Sequence, residues 1–201
     1  MEIIKLEEQG IEKAVVAATH TLTQGGIVLY PTDTLYGLAV DATNEAALNA
    51  LYALKGREPG KSVSVIVRDV HTVQEYGVMN EAAKELATQH LPGALTLVLP
   101  VTEVTPHILT ESGTIGIRIP NDTFCLALAE VFGKPYTATS ANRSGMPTGA
   151  TVEEIRNQFE TDIDRIALAI DGGRRDGGVG STVVSVVSDT PTIIRQGVLT
   201  L

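Results

Sequence analysis

A chain of 201 residues, 43% hydrophobic and 19% charged, is long enough to form one domain that buries about 70% of its unfolded surface. Its formal net charge of -9 argues against holding nucleic acid by bare electrostatics, since duplex affinity leans on many Lys and Arg contacts to phosphate. The single cysteine, Cys125, excludes an internal disulfide. No apolar run approaches the ~20 residues of a membrane span, and the charged start lacks a secretory signal pattern. The expectation is a soluble, cytoplasmic protein.

In chain order, Ile11, Val15, Ala18 and Leu22 make a helical stripe that ends at Gly25 and Gly26. Residues 27–30 read as a buried strand. Pro31 closes it and leaves Thr32, Asp33 and Thr34 at its C-terminal end, where open α/β sheets commonly bind ligands. Asp33 reads first as a turn residue that holds backbone amides. An apolar stretch restarts at Tyr36. The next helix runs from Asn44 on the stripe Leu48, Leu51, Tyr52 and Leu54, and Gly56 stops it. Segment 55–61 then gathers Lys55, Arg57 and Lys61 in a loop kept turning by Pro59 and Gly60, ahead of a β-like run at 62–67.

Asn80 is positioned to cap a helix through His90. Residues 95–99 and 114–119 follow as strands. In the second, Arg118 alternates with Ile117 and Ile119 and faces away from them, toward solvent or into a cavity where it pairs with a carboxylate. A helix over 123–132 encloses Cys125 as a small core residue. The extended run 135–139 leads into Ser140, Ala141 and Asn142, small or amide side chains beside which a ligand can approach the backbone. Thr151 and Glu154 form a capping box. Strands over 165–170, 181–187 and 192–195 complete the chain.

The Gly-rich segment 172–180 lacks both the Gly-Lys-Ser/Thr ending of a P-loop and the helix that must follow a dinucleotide fingerprint. Arg174 and Arg175 read there as loop surface, and Ser181 and Thr182 as better ligand contacts. Strands outnumber a simple alternating unit and include hairpin neighbours. The pattern predicts a single α/β domain over 1–201, a twisted sheet of mixed parallel and antiparallel strands with helices packed on it.

Three cations on one loop of an acidic protein suit a small, multiply charged anion. Polyphosphate is the first choice, because Arg grips phosphate oxygens in a fork while Lys acts as a point charge. A solvated basic turn is the alternative. Arg118 suits a carboxylate. His20, His71, His90 and His107 lie far apart without ligand spacing, so no metal site built by the protein is expected. With no Gly-x-Ser-x-Gly elbow and no cation beside Cys125, covalent catalysis has no support.

Segments 26–37, 54–57 with Lys61, 91–98, 115–120, 139–142 with Ser144 and Gly145, 180–184 and 194–197 together resemble the YrdC-like family of threonylcarbamoyl-AMP synthases. Departures are mild. Ser62 and Ala94 stand where the family often has proline, and Ile66 stands where some long-form members carry a histidine. The extra C-terminal domain of those longer members is not expected.

The resemblance implies a YrdC/RibB-like fold with a basic concave cavity. It implies condensation of L-threonine, bicarbonate or CO2, and ATP to threonylcarbamoyl-adenylate and pyrophosphate, for threonylcarbamoyladenosine modification of tRNA. By it, Lys55, Arg57, Lys61 and Arg195 hold the triphosphate, Lys55 and Arg57 being catalytic, with Mg2+ bridging phosphate oxygens. Thr114, Ser140, Asn142 and Thr148 seat the nucleotide. Thr34, Arg118, Ser181 and the backbone of Ala138 hold threonine. The implied downstream partner is the tRNA threonylcarbamoyl transferase machinery, and direct contact with tRNA is not required. Two other classes stay open. One is an RNA-binding or ribosome-maturation module of the same fold, which the charge of -9 disfavours. The other is a carbamoyl-adenylate synthase, like the YrdC-like portion of larger hydrogenase-maturation proteins, whose zinc-finger cysteines this chain lacks.

Overall fold

Side chains that alternate along a strand need two apolar environments when the strand is buried on both faces, and the run from Ile27 to Pro31 is buried throughout. The computed structural model, which describes residues 1–58, 63–110, 112–175 and 178–201, supplies both. Ile27 and Leu29 enter a core shared with Leu38, Leu48, Leu51, Leu97 and Ile117. Val28 and Tyr30 enter a second core with Val15, Leu22, Phe124 and Leu128.

The chain begins with strand β1 (Glu2–Lys5), a one-turn helix α1 (Leu6–Gln9) and helix α2 (Ile11–Thr23). Strands β2 (Ile27–Pro31) and β3 (Tyr36–Ala39) precede helix α3 (Glu45–Lys55), strand β4 (Val65–Ile66), and helices α4 (Val70–Tyr76) and α5 (Glu81–His90). Next come β5 (Leu95–Pro100), β6 (Thr114–Arg118), α6 (Thr123–Phe132), β7 (Tyr136–Thr137) and β8 (Thr139–Ser140). Helix α7 (Val152–Gln158) and strands β9 (Ile166–Asp171), β10 (Thr182–Ser185) and β11 (Thr192–Arg195) follow. Among the described residues no helix is long and apolar enough to cross a membrane.

Helix starts follow the expected chemistry. Asn44, Asp69, Asn80, Asp122 and Thr151 each accept the backbone N–H three residues on. Gly56 ends α3 in the left-handed region, at φ 63°, where a side chain would be strained. Two elements have weak local signals. Helix α4 buries only Val73. Strand β1 buries only Ile4 and pairs in parallel with β9, near the other end of the chain.

The strands form two mixed sheets, where the sequence pattern predicts one. The first has the order β1-β9-β2-β3-β8 and the second β11-β10-β5-β6-β4-β7. The physical reason lies in the run from Tyr136 to Ser140. Its first half, β7, pairs with β4 in the second sheet, while β8 pairs with β3 in the first. Between them the Ala138 N–H donates to Ser64 O at 2.7 Å. Thr137 reaches across as well: its N–H donates to Val40 O at 3.1 Å, and its hydroxyl donates to Leu38 O at 2.9 Å and accepts the Val40 N–H at 3.1 Å. The two sheets meet along this run, and the cavity lies beside it.

The end of the chain is held against the entrance to β10. Thr182 Oγ1 donates to Leu199 O at 2.6 Å and accepts the Gly197 N–H at 2.9 Å, while the Val198 N–H donates to Gly180 O at 3.1 Å. A Cβ on Gly197 would lie 2.3 Å from Gly180 O and 2.4 Å from Thr182 N. Gly197→Ala is therefore expected to lower the urea midpoint at unchanged m-value, corresponding to about 1–3 kcal/mol of overpacking.

Candidate active site

A cavity of about 380 Å3 opens where the sheets meet. The β2–β3 turn, the end of α3, the end of β6, residues 138–142 and the β10 entrance line it. Lys55, Arg57, Arg118 and Arg195 contribute cations, and no carboxylate lines it among the described residues. Hydroxyls from Thr32, Thr34, Ser64, Thr96, Ser140 and Ser181 make up much of the remaining polar wall.

Lys55 is the last residue of α3, where a cation is favoured by the helix dipole, and it is only 5% exposed. Its ammonium donates to Ser140 O, to Asn142 O at 2.8 Å and to Asn142 Oδ1 at 3.4 Å. Three protons thus meet three oxygens. The loop is tied back by the Ser144 N–H, which donates to Lys55 O at 2.9 Å. Ser140 Oγ donates to Asn142 Oδ1, and Asn142 Nδ2 donates to Arg143 O and Met146 O. Burial, with the nearby Arg57 adding to it, lowers the Lys55 pKa to about 8.

Arg118 ends β6 on the face opposite Ile117, and it points into the cavity as one of its two sequence alternatives requires. Nε donates to Gly93 O at 3.4 Å, Nη1 donates to Thr34 Oγ1 at 3.1 Å, and Nη2 is paired with the Asp33 carboxylate. Guanidinium carries five N–H donors. Three are engaged, which leaves one on each terminal nitrogen for a ligand.

Behind this pair, Thr96 stands opposite Arg118 in the β5–β6 register, and its hydroxyl shares a 2.7 Å hydrogen bond with Ser181 Oγ. Arg195, on β11, donates from Nη2 to Ser181 O at 2.9 Å. Tyr36 donates its hydroxyl to Gly173 O at 2.7 Å and accepts the Gly172 N–H at 3.0 Å. Burial, the largest influence on it, raises its pKa to about 12, so it stays protonated.

Of the residues singled out from the sequence, Thr34, Lys55, Arg57, Arg118, Ala138, Ser140, Asn142, Ser181 and Arg195 line this one cavity. Lys61 lies outside the described residues. Two others are placed elsewhere. Thr114 starts β6, opposite Pro100, four residues and ~13 Å of strand before Arg118, and its hydroxyl bonds to Ser112 at 2.9 Å. Thr148 sits in a segment drawn toward α7, where Gln158 Nε2 donates to Pro147 O at 3.0 Å. Arg175 is not loose surface. Its Nε donates to Thr32 O at 2.9 Å and its Nη1 to Gly172 O at 2.7 Å, fastening the Gly-rich loop to the β2–β3 turn. Arg174 is the exposed one, paired with Glu154 at 3.3 Å. Thr96 was legible in principle, as a lone polar residue between Leu95 and Leu97. Ser64 carries the same signal between Val63 and Val65, whereas Arg175 carries none.

A family model of Sua5/YciO/YrdC type, described as telomere recombination, matches residues 20–197. The chain belongs to the Sua5/YciO/YrdC family. A Methanocaldococcus jannaschii protein is 35% identical over 199 residues, 99% of this chain and 93% of that one. The threonylcarbamoyl-AMP synthase of Bacillus subtilis is 36% identical over 92% of this chain, which spans 54% of the length of that relative. Among solved structures, P. abyssi Sua5 complexed with L-threonine superposes with a TM-score of 0.90 at 32% identity, covering 98% of this chain and 58% of that one. E. coli YciO gives 0.86 at 28% identity, covering 98% and 95%.

Two outcomes follow from the geometry. Between pH 8 and the ordinary lysine value of 10.5, folded Lys55 has shed a proton that the unfolded chain keeps. This group therefore makes stability rise with pH across that window, while affinity for an anion that relies on the ammonium falls. Calorimetric titration of inorganic triphosphate should show binding that weakens above pH 8, without a matching loss in urea stability assignable to Lys55. Arg175→Ala should destabilise the protein by about 1–3 kcal/mol, since it strips donors from Thr32 O and Gly172 O. Arg174→Ala, at an exposed ion pair, should change denaturant stability by less than about 1 kcal/mol.

Proposed function

We propose that this chain is a threonylcarbamoyl-AMP synthase, a nucleotidyltransferase that joins L-threonine, bicarbonate or CO2, and ATP. The observation that carries the reading is one cavity that holds two kinds of cation. Lys55 and Arg195 donate to neutral carbonyls, while Arg118 is paired with Asp33 and keeps one N–H on each terminal nitrogen for a ligand. A nucleotide triphosphate suits the first kind and an amino-acid carboxylate the second. The likeness to synthases of that name, and to a relative whose structure holds L-threonine, supports the assignment.

In this reading the threonine amine adds to CO2, loses a proton to solvent and becomes a carbamate. A carbamate oxygen then attacks the α-phosphorus of ATP, the bond from that phosphorus to the α,β-bridging oxygen breaks, and the mixed anhydride and pyrophosphate are released. No protein nucleophile takes part. The protein aligns two anions and stabilises the charge that builds on the phosphates. Lys55, Arg57 and Arg195 supply that charge, and the family resemblance adds Lys61 to them. Ser140 and Asn142 border the nucleotide. The Ala138 N–H is engaged by Ser64 at 2.7 Å, so Ala138 offers its carbonyl, an acceptor for the substrate amine or hydroxyl. Mg2+ would arrive on the phosphates as part of the substrate, since no carboxylate lines the cavity among the described residues. The labile product passes to the tRNA threonylcarbamoyl transferase machinery.

The test is incubation of the purified protein with ATP, L-threonine and labelled bicarbonate. Label recovered in a threonine-containing adenylate, with stoichiometric pyrophosphate, is expected; ATP hydrolysis without label incorporation would overturn the reading. Serine should be a weaker substrate, because losing one methyl costs ~1–3 kcal/mol, and valine poorer still, because it leaves a hydroxyl partner unmatched. Arg118→Ala should raise the threonine KM about a hundredfold, the cost of breaking a buried charged contact, while ATP affinity measured without threonine stays within about twofold.

A further inference from the structure

Asp33 occupies the position after a strand where an aspartate ordinarily folds its carboxylate onto the amides of its own turn. Here that task belongs to Thr32. The Thr32 N–H donates to Leu35 O at 3.1 Å, and Thr32 Oγ1 accepts the N–H groups of Thr34 at 3.1 Å and Leu35 at 3.2 Å. Relieved of the turn, the Asp33 carboxylate points from the first sheet to the second. One oxygen takes Arg118 Nη2 and the other accepts the Asn121 N–H at 3.0 Å, just beyond β6. Both side chains of the pair are largely withdrawn from water, with 8% of Arg118 and 14% of Asp33 exposed. Arg118 and Thr34 line the cavity; Asp33 does not.

We infer that Asp33 is the positioning residue for amino-acid binding: it fixes the Arg118 guanidinium against the second sheet so that its two remaining N–H groups face the substrate carboxylate. The inference rests on the functional reading above. Geometry makes the carboxylate necessary. It accepts on both oxygens from two N–H donors that diverge, and an asparagine would turn an NH2 group toward one of them. The pairing also cancels the charge of Arg118, whereas Lys55 and Arg195 donate to neutral carbonyls.

The experiment compares wild type, Asp33→Asn, Arg118→Ala and the double variant. Asp33→Asn is expected to raise the threonine KM about tenfold or more, with kcat within about threefold and ATP affinity, measured without threonine, within about twofold. In the Arg118→Ala background the same change should add less than about twofold, because residues that act through one contact are not additive. A readout independent of catalysis is the Arg118 Nε–H resonance in NMR, assigned by its loss in Arg118→Ala. It should be protected from solvent exchange in wild type and exposed in Asp33→Asn. If Asp33→Asn does not fold, Asp33→Glu, which keeps the charge but displaces it by one methylene, is read by the same measures. An active wild type whose Asp33 variant keeps both its threonine KM and the protected resonance overturns the inference. So does an Asp33 effect that persists undiminished without Arg118. A wild type that makes no adenylate but loses the protected resonance in Asp33→Asn would refute the functional reading and leave the positioning role standing.

Discussion

An ammonium group withdrawn from water is tolerated only if its protons find oxygen, and the walls of the cavity are arranged around meeting that demand for Lys55. Ser140 O, Asn142 O and Asn142 Oδ1 do so together, which requires the chain to curl immediately after it leaves the first sheet. That curl brings Ser140, Asn142 and Ser144 to the cavity wall and sets the Asn142 amide on the carbonyls of Arg143 and Met146. The charge is therefore desolvated and its neighbours oriented before any anion enters, so little reorganisation is left for binding. Helix α3 contributes twice over: its C-terminal dipole favours the cation, and Gly56 lets the chain turn away at once toward Arg57.

The cavity sorts its ligands by how each cation is held. Where a cation leans on carbonyl dipoles, its full charge remains available to phosphate oxygens. Where it leans on a carboxylate, what remains is directional hydrogen bonding. Lys55 and Arg195 are of the first kind and Arg118 of the second. A protein of net charge -9 can thus keep a small positive interior without inviting nucleic acid across its surface.

Much of the fold could be read from local pattern because the helices that matter have both a stripe and a cap. Asn44 with Leu48, Leu51 and Leu54 announces α3, and Asn80 announces α5. Helix α4 has a cap in Asp69 but a single buried residue, too little for periodicity to register. Strand β1 owes its existence to β9, a partner no window of sequence contains. The same distance effect governs the site. Lys55 and Arg57 stand out because they are adjacent in the chain. Asp33 passed for an ordinary turn residue because Arg118, which gives it a different task, lies 85 positions away. Thr114 shares a face with Arg118 yet sits at the wrong end of the strand, and alternation alone reports the face, never the end.

The passage of the chain from one sheet to the other at Ala138 has a consequence for descent. Two residues before it belong to β7 and two after it to β8, with no slack between them. In a strand, a shift of one residue turns each side chain to the opposite face. A one-residue insertion or deletion between 136 and 140 would thus either take Thr137 out of the joint between the sheets or carry Ser140 off the cavity wall, whichever half kept its register. This segment can drift in composition across a lineage but not in count, and the turn over 144–147 that follows is tied in as well, by the Ser144 N–H on Lys55 O and the Asn142 amide on Met146 O.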